Sequence, residues 1–361
     1  MAIHFSPERW DKIKKTYDLW WKHDLNRPII KVIVEDGFGS DTMKSTTSFF
    51  TQENCTDFSY SPDELIADMD YVLSHYEFLG DSFPMINFDM FGPGVLAAFC
   101  GARLDNSSGR VWFFPEQEKE IADIHVEYNS QNQWVKRIKD IYEAGHKRWK
   151  GQVLMGMPDL GGILDVAAVF RGSENLLYDL YDYPDEVKRL CLEIEKAWMD
   201  AYHDLNMSLR PMNPGYSDWL GIYSSTESYV LQSDFSYMIS EDMFEEFAYP
   251  AIKRACSQLK HSVYHLDGIG EIKHLDRLLS LKELDAVQWV PGDGQPMASH
   301  WITIYKKIEE KGKGIKIEGD FGEFEKVFVH VPKGLCLHQI IGKEQRAQAL
   351  RLLDKYGVES E

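Results

Sequence analysis

His265-Leu-Asp267 and Cys336-Leu-His338 each place two groups that can bind a metal or carry a proton two residues apart. Side chains on an extended chain alternate, so both members of each pair point to one side. Facing each other across a cleft, the pairs would offer imidazole, carboxylate and thiolate to a zinc-like ion. The plainer alternative is that Asp267-Gly268 only begins a turn, with His265 hydrogen-bonded in a wall.

Both pairs end short strand-like runs, and others of the kind recur. FPMINFDM, QVLMGMPD, GYSDWL, YVLQSD, SVYHLD, AVQWV, GIKIEGD and KGLCLHQ make eight, separated by amphipathic helix-like segments. Strand and helix in eightfold alternation predict an α/β fold, a closed parallel (β/α)8 (TIM) barrel. Active groups of such a barrel collect at the C-terminal strand ends, where these runs carry Asn87, Asp89, Asp159, Asp234, His265, Asp267, Gln288, Glu318, Cys336 and His338. Asp267 with Glu318 or Asp89 could supply a catalytic acid and base if burial and repulsion split their pKa values. Asn87, Asp159, Asp234, Gln288, Trp219, Tyr264 and Trp289 are candidates for the substrate wall.

Residues 1–80 read as an N-terminal helical extension or cap on a barrel of residues 81–361. SPERWDKIKKTYDLWWKHDL and SPDELIADMDYVLSHYEFLG each open with Ser-Pro, suited to an N-cap and first helical position, and PIIKVIVE between them is strand-like. The following GFGSDTMKST has the glycines of a phosphate loop without its GK[ST] ending. In the stretch from 264 to 289, IKHLDRLLSLKELDA reads as the helix after a strand, with Leu275, Leu278, Leu279 and Leu281 packing on the sheet and His274 at the surface or a cap. GPGVLAAF and the Trp-rich N-terminal part offer apolar surface for a partner or a second copy in a homodimer.

The charge balance excludes some functions. With 39 basic and 58 acidic residues the chain carries −19, which repels phosphate backbones and anionic membranes, so neither nucleic acid nor membrane is an expected partner. Hydrophobic residues at 44% suffice for a thick core, and no stretch reads as a secretion signal or membrane span. Five scattered cysteines without a CxxC spacing suit reduced thiols in a cytoplasm.

MPDLGGILDVAAVFRGSENLLYDLYDYPDEVKRL, then SDFSYMISEDMFEEFAYPAIKRA and the closing KGLCLHQ, resemble the uroporphyrinogen decarboxylase superfamily in order and spacing. That superfamily includes cobalamin-linked methyltransferases acting on methanol, methylamines and coenzyme M. The resemblance spans roughly residues 80 to 355 and implies a TIM barrel with its cleft at the strand ends. The arginine-rich RQAGRY of the decarboxylase has no counterpart in residues 1–60, which disfavours porphyrin decarboxylation. The methyltransferase branch binds zinc through His-x-Cys on a middle strand and Cys on the last. Here His265-Leu-Asp267 stands at the first place and Cys336 with His338 near the second. Asp in place of Cys hardens the donor set and suits an oxygen substrate. The resemblance therefore implies an O-demethylating methyltransferase on a small molecule, partnered by a corrinoid protein. A metal-free lyase or glycoside-type hydrolase working through paired carboxylates, or a binding barrel without turnover, are the competing expectations.

Overall fold

The structure, a computed structural model, describes residues 2–37 and 48–360. Most of GFGSDTMKST lies outside the described residues. The strands that position the candidate residues are β1 (Ile29–Val34), β2 (Glu77–Gly80), β3 (Met85–Ile86), β4 (Leu154–Met155), β5 (Ser228–Leu231), β6 (His261–Asp267), β7 (Ala286–Val290), β8 (Gly314–Ile317) and β9 (Leu335–Ile341). Seven form one sheet in the order β2-β1-β9-β8-β7-β6-β5, all parallel except the antiparallel β1–β2 pair. β3 and β4 pair separately and in parallel.

Among the described residues these ladders do not close into a continuous ring. One gap lies between β3 and the β1–β2 end of the main sheet, and the other falls at GYSDWL, where the expected strand is replaced by isolated bridges, Met157 to Asp218 and Tyr216 to Ser224. Asp218 explains the replacement. Its carboxylate accepts the Val230 N–H of β5 at 2.7 Å and the Leu220 N–H at 2.9 Å, so a side chain satisfies the backbone donor that a neighbouring strand would otherwise take.

The strand-like run in the first 80 residues lies inside the main sheet. β1 is apolar and buried along its whole length except for one charge, Lys31, and pairs with β9 so that Lys31 stands beside His338. Ser6 and Ser61 cap the flanking helices Pro7–Trp21 and Pro62–His75 as their Ser-Pro openings predict, Ser61 in a full capping box with Glu64. Trp10, Trp20 and Trp21 turn inward from the first helix, and residues 95–99 of GPGVLAAF are fully buried. The apolar surface expected there for a partner is spent on this chain's own core.

Other elements are shorter than their apolar periodicity suggests. The run from Ser173 divides into helices Ser173–Asp182 and Pro184–Leu209, because Tyr183, before a proline, is excluded from helical geometry. The helix expected after β6 is a 3-10 stretch, Ile269–His274, followed by one turn, Leu275–Leu279. Leu275, Leu278, Leu279 and Leu281 are buried as expected, but so is His274, whose ring bonds to the Ser236 carbonyl at 2.9 Å instead of facing solvent. No helix among the described residues is long and apolar enough to cross a membrane.

Entry into β1 is fixed by Asp81, which takes both Arg27 terminal nitrogens, at 2.7 and 2.8 Å, and the Ile30 N–H at 3.0 Å. Asp81 is buried and Arg27 partly so. Asp81→Ala strands the guanidinium and one backbone donor. Its urea midpoint should fall by the equivalent of about 2 to 4 kcal/mol, with the slope unchanged.

Candidate active site

Asp234, His265 and Asp267 converge at the ends of β5 and β6, each offering a ligand atom within 4.8 Å of the others. His265 and Asp267 meet because they share one face of β6. Asp234 joins them at the start of a 3-10 turn, Asp234–Met238, which a half-buried carboxylate holds in place: Asp165 accepts the N–H of Asp234 at 3.1 Å and of Phe235 at 2.7 Å.

A line of hydrogen bonds across neighbouring strands sets the state of His265. Lys316 on β8 donates to Glu318 at 2.9 Å, and Glu318 accepts from the Gln288 amide nitrogen at 2.6 Å. The Gln288 amide oxygen therefore faces His265, 2.7 Å from Nδ1. An amide oxygen only accepts, so Nδ1 carries the proton and Nε2 presents its lone pair. Burial pushes the His265 imidazolium down, favouring the neutral ring, against the opposing pull of Gln288. Trp219 packs edge-on against the ring, centroids 5.0 Å apart at 84°, and its backbone oxygen is held by Asn87 at 2.9 Å.

One neutral imidazole nitrogen and two carboxylates fit a divalent cation of zinc or similar character, with positions left for substrate. Two clefts meet at Asp234. One, of about 370 Å³, is lined by Asp267, Gly268, Tyr237 and Pro291; the other, of about 420 Å³, by Asp165, Gln232, Trp112 and Phe113.

Carboxyl groups crowd behind the group and hold their protons more firmly than free acids do. Burial pushes Asp165 up to about 7, with Asp234 adding, and Asp159 likewise to about 7. Although Asp234 faces the cleft, lost hydration lifts it to about 6, with Asp267 adding. Glu271, fully buried, is raised to about 10 by burial and then by Asp234, Asp165 and Asp267, so it is a neutral acid at pH 7. A cation at the Asp234–His265–Asp267 group would offset this repulsion.

The other candidates fall elsewhere. Cys336 and His338 are not in the three-residue group. Both lie in the field of the buried Lys31 and Lys316; burial pushes the Cys336 thiol up to about 12 and, helped by the lysines, holds the His338 imidazolium well down. Asp89 is raised by burial and has one carboxylate oxygen without a partner. Asp159 ties the Gly161 N–H at 2.8 Å. Tyr264 alternates with His265 along β6, is fully buried, and reaches Glu271 at 3.4 Å. Trp289, also fully buried, packs edge-on with Trp301 at 5.3 Å. Asp165, Glu271 and Lys31 were not singled out from the sequence. Their common signal is a charge flanked by apolar residues and glycine, in ILDVAAV, GIGEI and IIKVIV.

Glu271 gives a pH-dependent test. Its folded pKa lies above the ordinary 4.5, so above that pH the folded chain keeps a proton that the unfolded chain releases, and stability falls as pH rises toward 10. In chelator-treated protein, Glu271→Gln should match wild type at pH 4 and exceed it by about 2 kcal/mol at pH 8 in urea titrations.

No protein-family model and no curated protein matches the chain. Among solved structures it is similar to a methyltransferase from Methanosarcina mazei, with a TM-score of 0.60 over 96% of this chain and 99% of that one, at 11% identity. At that identity what the two share is the overall fold.

Proposed function

We propose that this chain is a metal-assisted enzyme that moves a methyl group from an oxygen of a small molecule to an acceptor, the acceptor being a corrinoid carried by a partner protein. The observation that carries the reading is the Asp234–His265–Asp267 group, with Nε2 of His265 left unprotonated by the Gln288–Glu318–Lys316 line. The fold shared with a methyltransferase supports the type of transfer. The parallel strand pairs of the two sheets and the Met157–Asp218 bridge support reading the strands as a (β/α)8-type barrel with this group at its mouth.

Asp234, His265 and Asp267 would hold the cation, which when bound supplies Lewis-acid polarisation of the substrate oxygen. Gln288 keeps His265 in its ligating tautomer and Glu318 keeps Gln288 from flipping. As the carbon–oxygen bond breaks, the oxygen retains the electron pair and the methyl passes to the acceptor's nucleophile. The leaving oxygen takes a proton from the neutral acids behind the group, of which Glu271 holds its proton most firmly at pH 7. The clefts at Asp234 are the side from which an acceptor would approach.

A metal-free acid and base reading is favoured by one observation, the spread of neighbouring carboxyls from about 6 at Asp234 to about 10 at Glu271. Chelation separates the two readings: activity that survives it, yet is lost in Asp267→Asn and Glu318→Gln, belongs to a lyase or hydrolase.

Elemental analysis of protein reconstituted with zinc should find about one ion per chain, lost in His265→Ala and in Asp234→Ala. Gln288→Leu should retain the fold and weaken zinc binding about 10- to 100-fold. Transfer from O-methyl compounds to free cob(I)alamin, followed by its visible spectrum, should disappear with the metal. Full metal content and full transfer in both His265→Ala and Asp267→Ala would end the proposal.

A further inference from the structure

The interior of the sheet changes sign along its width. From the acidic group at β6, the polar row runs through Gln288 on β7 and Glu318 beyond β8, and then reaches Lys316, His338 on β9 and Lys31 on β1. Lys31 is 2% exposed and Lys316 is 4% exposed. Lys316 has a carboxylate partner in Glu318, but Lys31 forms no ion pair among the described residues. Its ammonium donates to the Gly221 carbonyl at 3.1 Å and lies 4.0 Å from the centre of the Phe83 ring. Nε2 of His338 is buried without a hydrogen-bond partner.

Gly221 lies against both groups. It has φ of +76°, and a Cβ added there would stand 3.4 Å from Lys31 Nζ and 3.7 Å from His338 Nδ1. Lysine and imidazole thus both face a backbone position that carries no side chain, where a single added carbon would be in ordinary contact with each. Burying an ammonium without a counter-charge is costly, and here it pushes the Lys31 amine down to about 7, with Lys316 adding to the effect and Cys336 opposing it. A negative ligand would remove that cost, give the remaining donors of Lys31 an acceptor and favour the His338 tautomer with its proton on Nε2.

We propose that Lys31, His338 and Lys316 form an anion subsite, which receives a carboxylate or phosphate group of the substrate. Resting on the methyl-transfer reading of the neighbouring group, this makes the substrate a methoxylated small molecule with an anionic tail. Three strand spacings separate β6 from β9, roughly 14 Å along the sheet, which bounds the distance between that tail and the reacting oxygen.

The test uses the full chain, stripped of metal, titrated with inorganic phosphate and separately with acetate at constant ionic strength, read by calorimetry and by thermal midpoint against chloride. Wild type should show saturable binding of one of the two, and the tighter one names the anionic group. Lys31→Met removes a buried charge and should fold well, with affinity for that anion down at least tenfold; His338→Gln should weaken it as well. His265→Ala should lose zinc and keep the anion, whereas Lys31→Met should keep zinc and lose the anion. If wild type binds neither anion beyond the chloride control, or if Lys31→Met binds as tightly as wild type, the subsite is refuted. Anion binding that depends on Lys31 in a protein that takes no zinc upholds the subsite and refutes the metal reading alone.

Discussion

Lys316, Glu318, Gln288 and His265 share one line of hydrogen bonds across three neighbouring strands, and each member fixes the next. The lysine orients the carboxylate, the carboxylate decides which way the amide faces, and the amide decides which imidazole nitrogen carries the proton. A buried polar line of this kind is worth having only when every member is satisfied. The parallel register supplies that condition, because Lys316 stands beside Gln288 and Gln288 beside His265. The line also separates the carboxyl-lined region around Asp234 and Glu271 from the buried amine of Lys31 on the other side. Lys316 is paired with Glu318, but the acids crowd one another and Lys31 forms no ion pair among the described residues, so both regions suit ligands of opposite sign.

This internal polarity is independent of the overall charge of −19. Long-range repulsion by the acidic surface acts on polyanions, whereas a small anion that reaches the interior meets ammonium groups at low dielectric, where an interaction gains strength. A small anionic ligand and an acidic protein are therefore compatible.

The sequence was most legible where local patterning decides the outcome. Apolar runs of four to seven residues became strands wherever the backbone found a parallel neighbour, and Ser6, Ser61 and Ser240 capped helices as their positions indicate. GYSDWL misled because a carboxylate can stand in for a strand, which no alternation of side chains reveals. Within the site, His265 and Asp267 could be paired from spacing alone, since both lie on one strand. Asp234 comes from another strand and was legible only as a polar strand end, and its approach depends on Asp165, a residue from a third element. Lys31 was hidden by its setting: in PIIKVIVE it reads as the solvent-facing position of a flanking strand, and only the pairing of β1 with β9 places it inside.

That pairing joins segments about 300 residues apart in the chain, Ile29–Val34 and Leu335–Ile341. Contacts of such high sequence separation form late, because the intervening chain must first be arranged and its closure entropy overcome. During synthesis β1 would emerge long before its neighbour and remain a buried-type apolar strand with an unmatched edge, the sort of surface that invites association with other chains. Lys31, in the middle of that strand, places a charge where an exposed edge would otherwise be wholly apolar. The same residue that is costly in the finished interior thus interrupts the apolar edge while that strand is still unpaired.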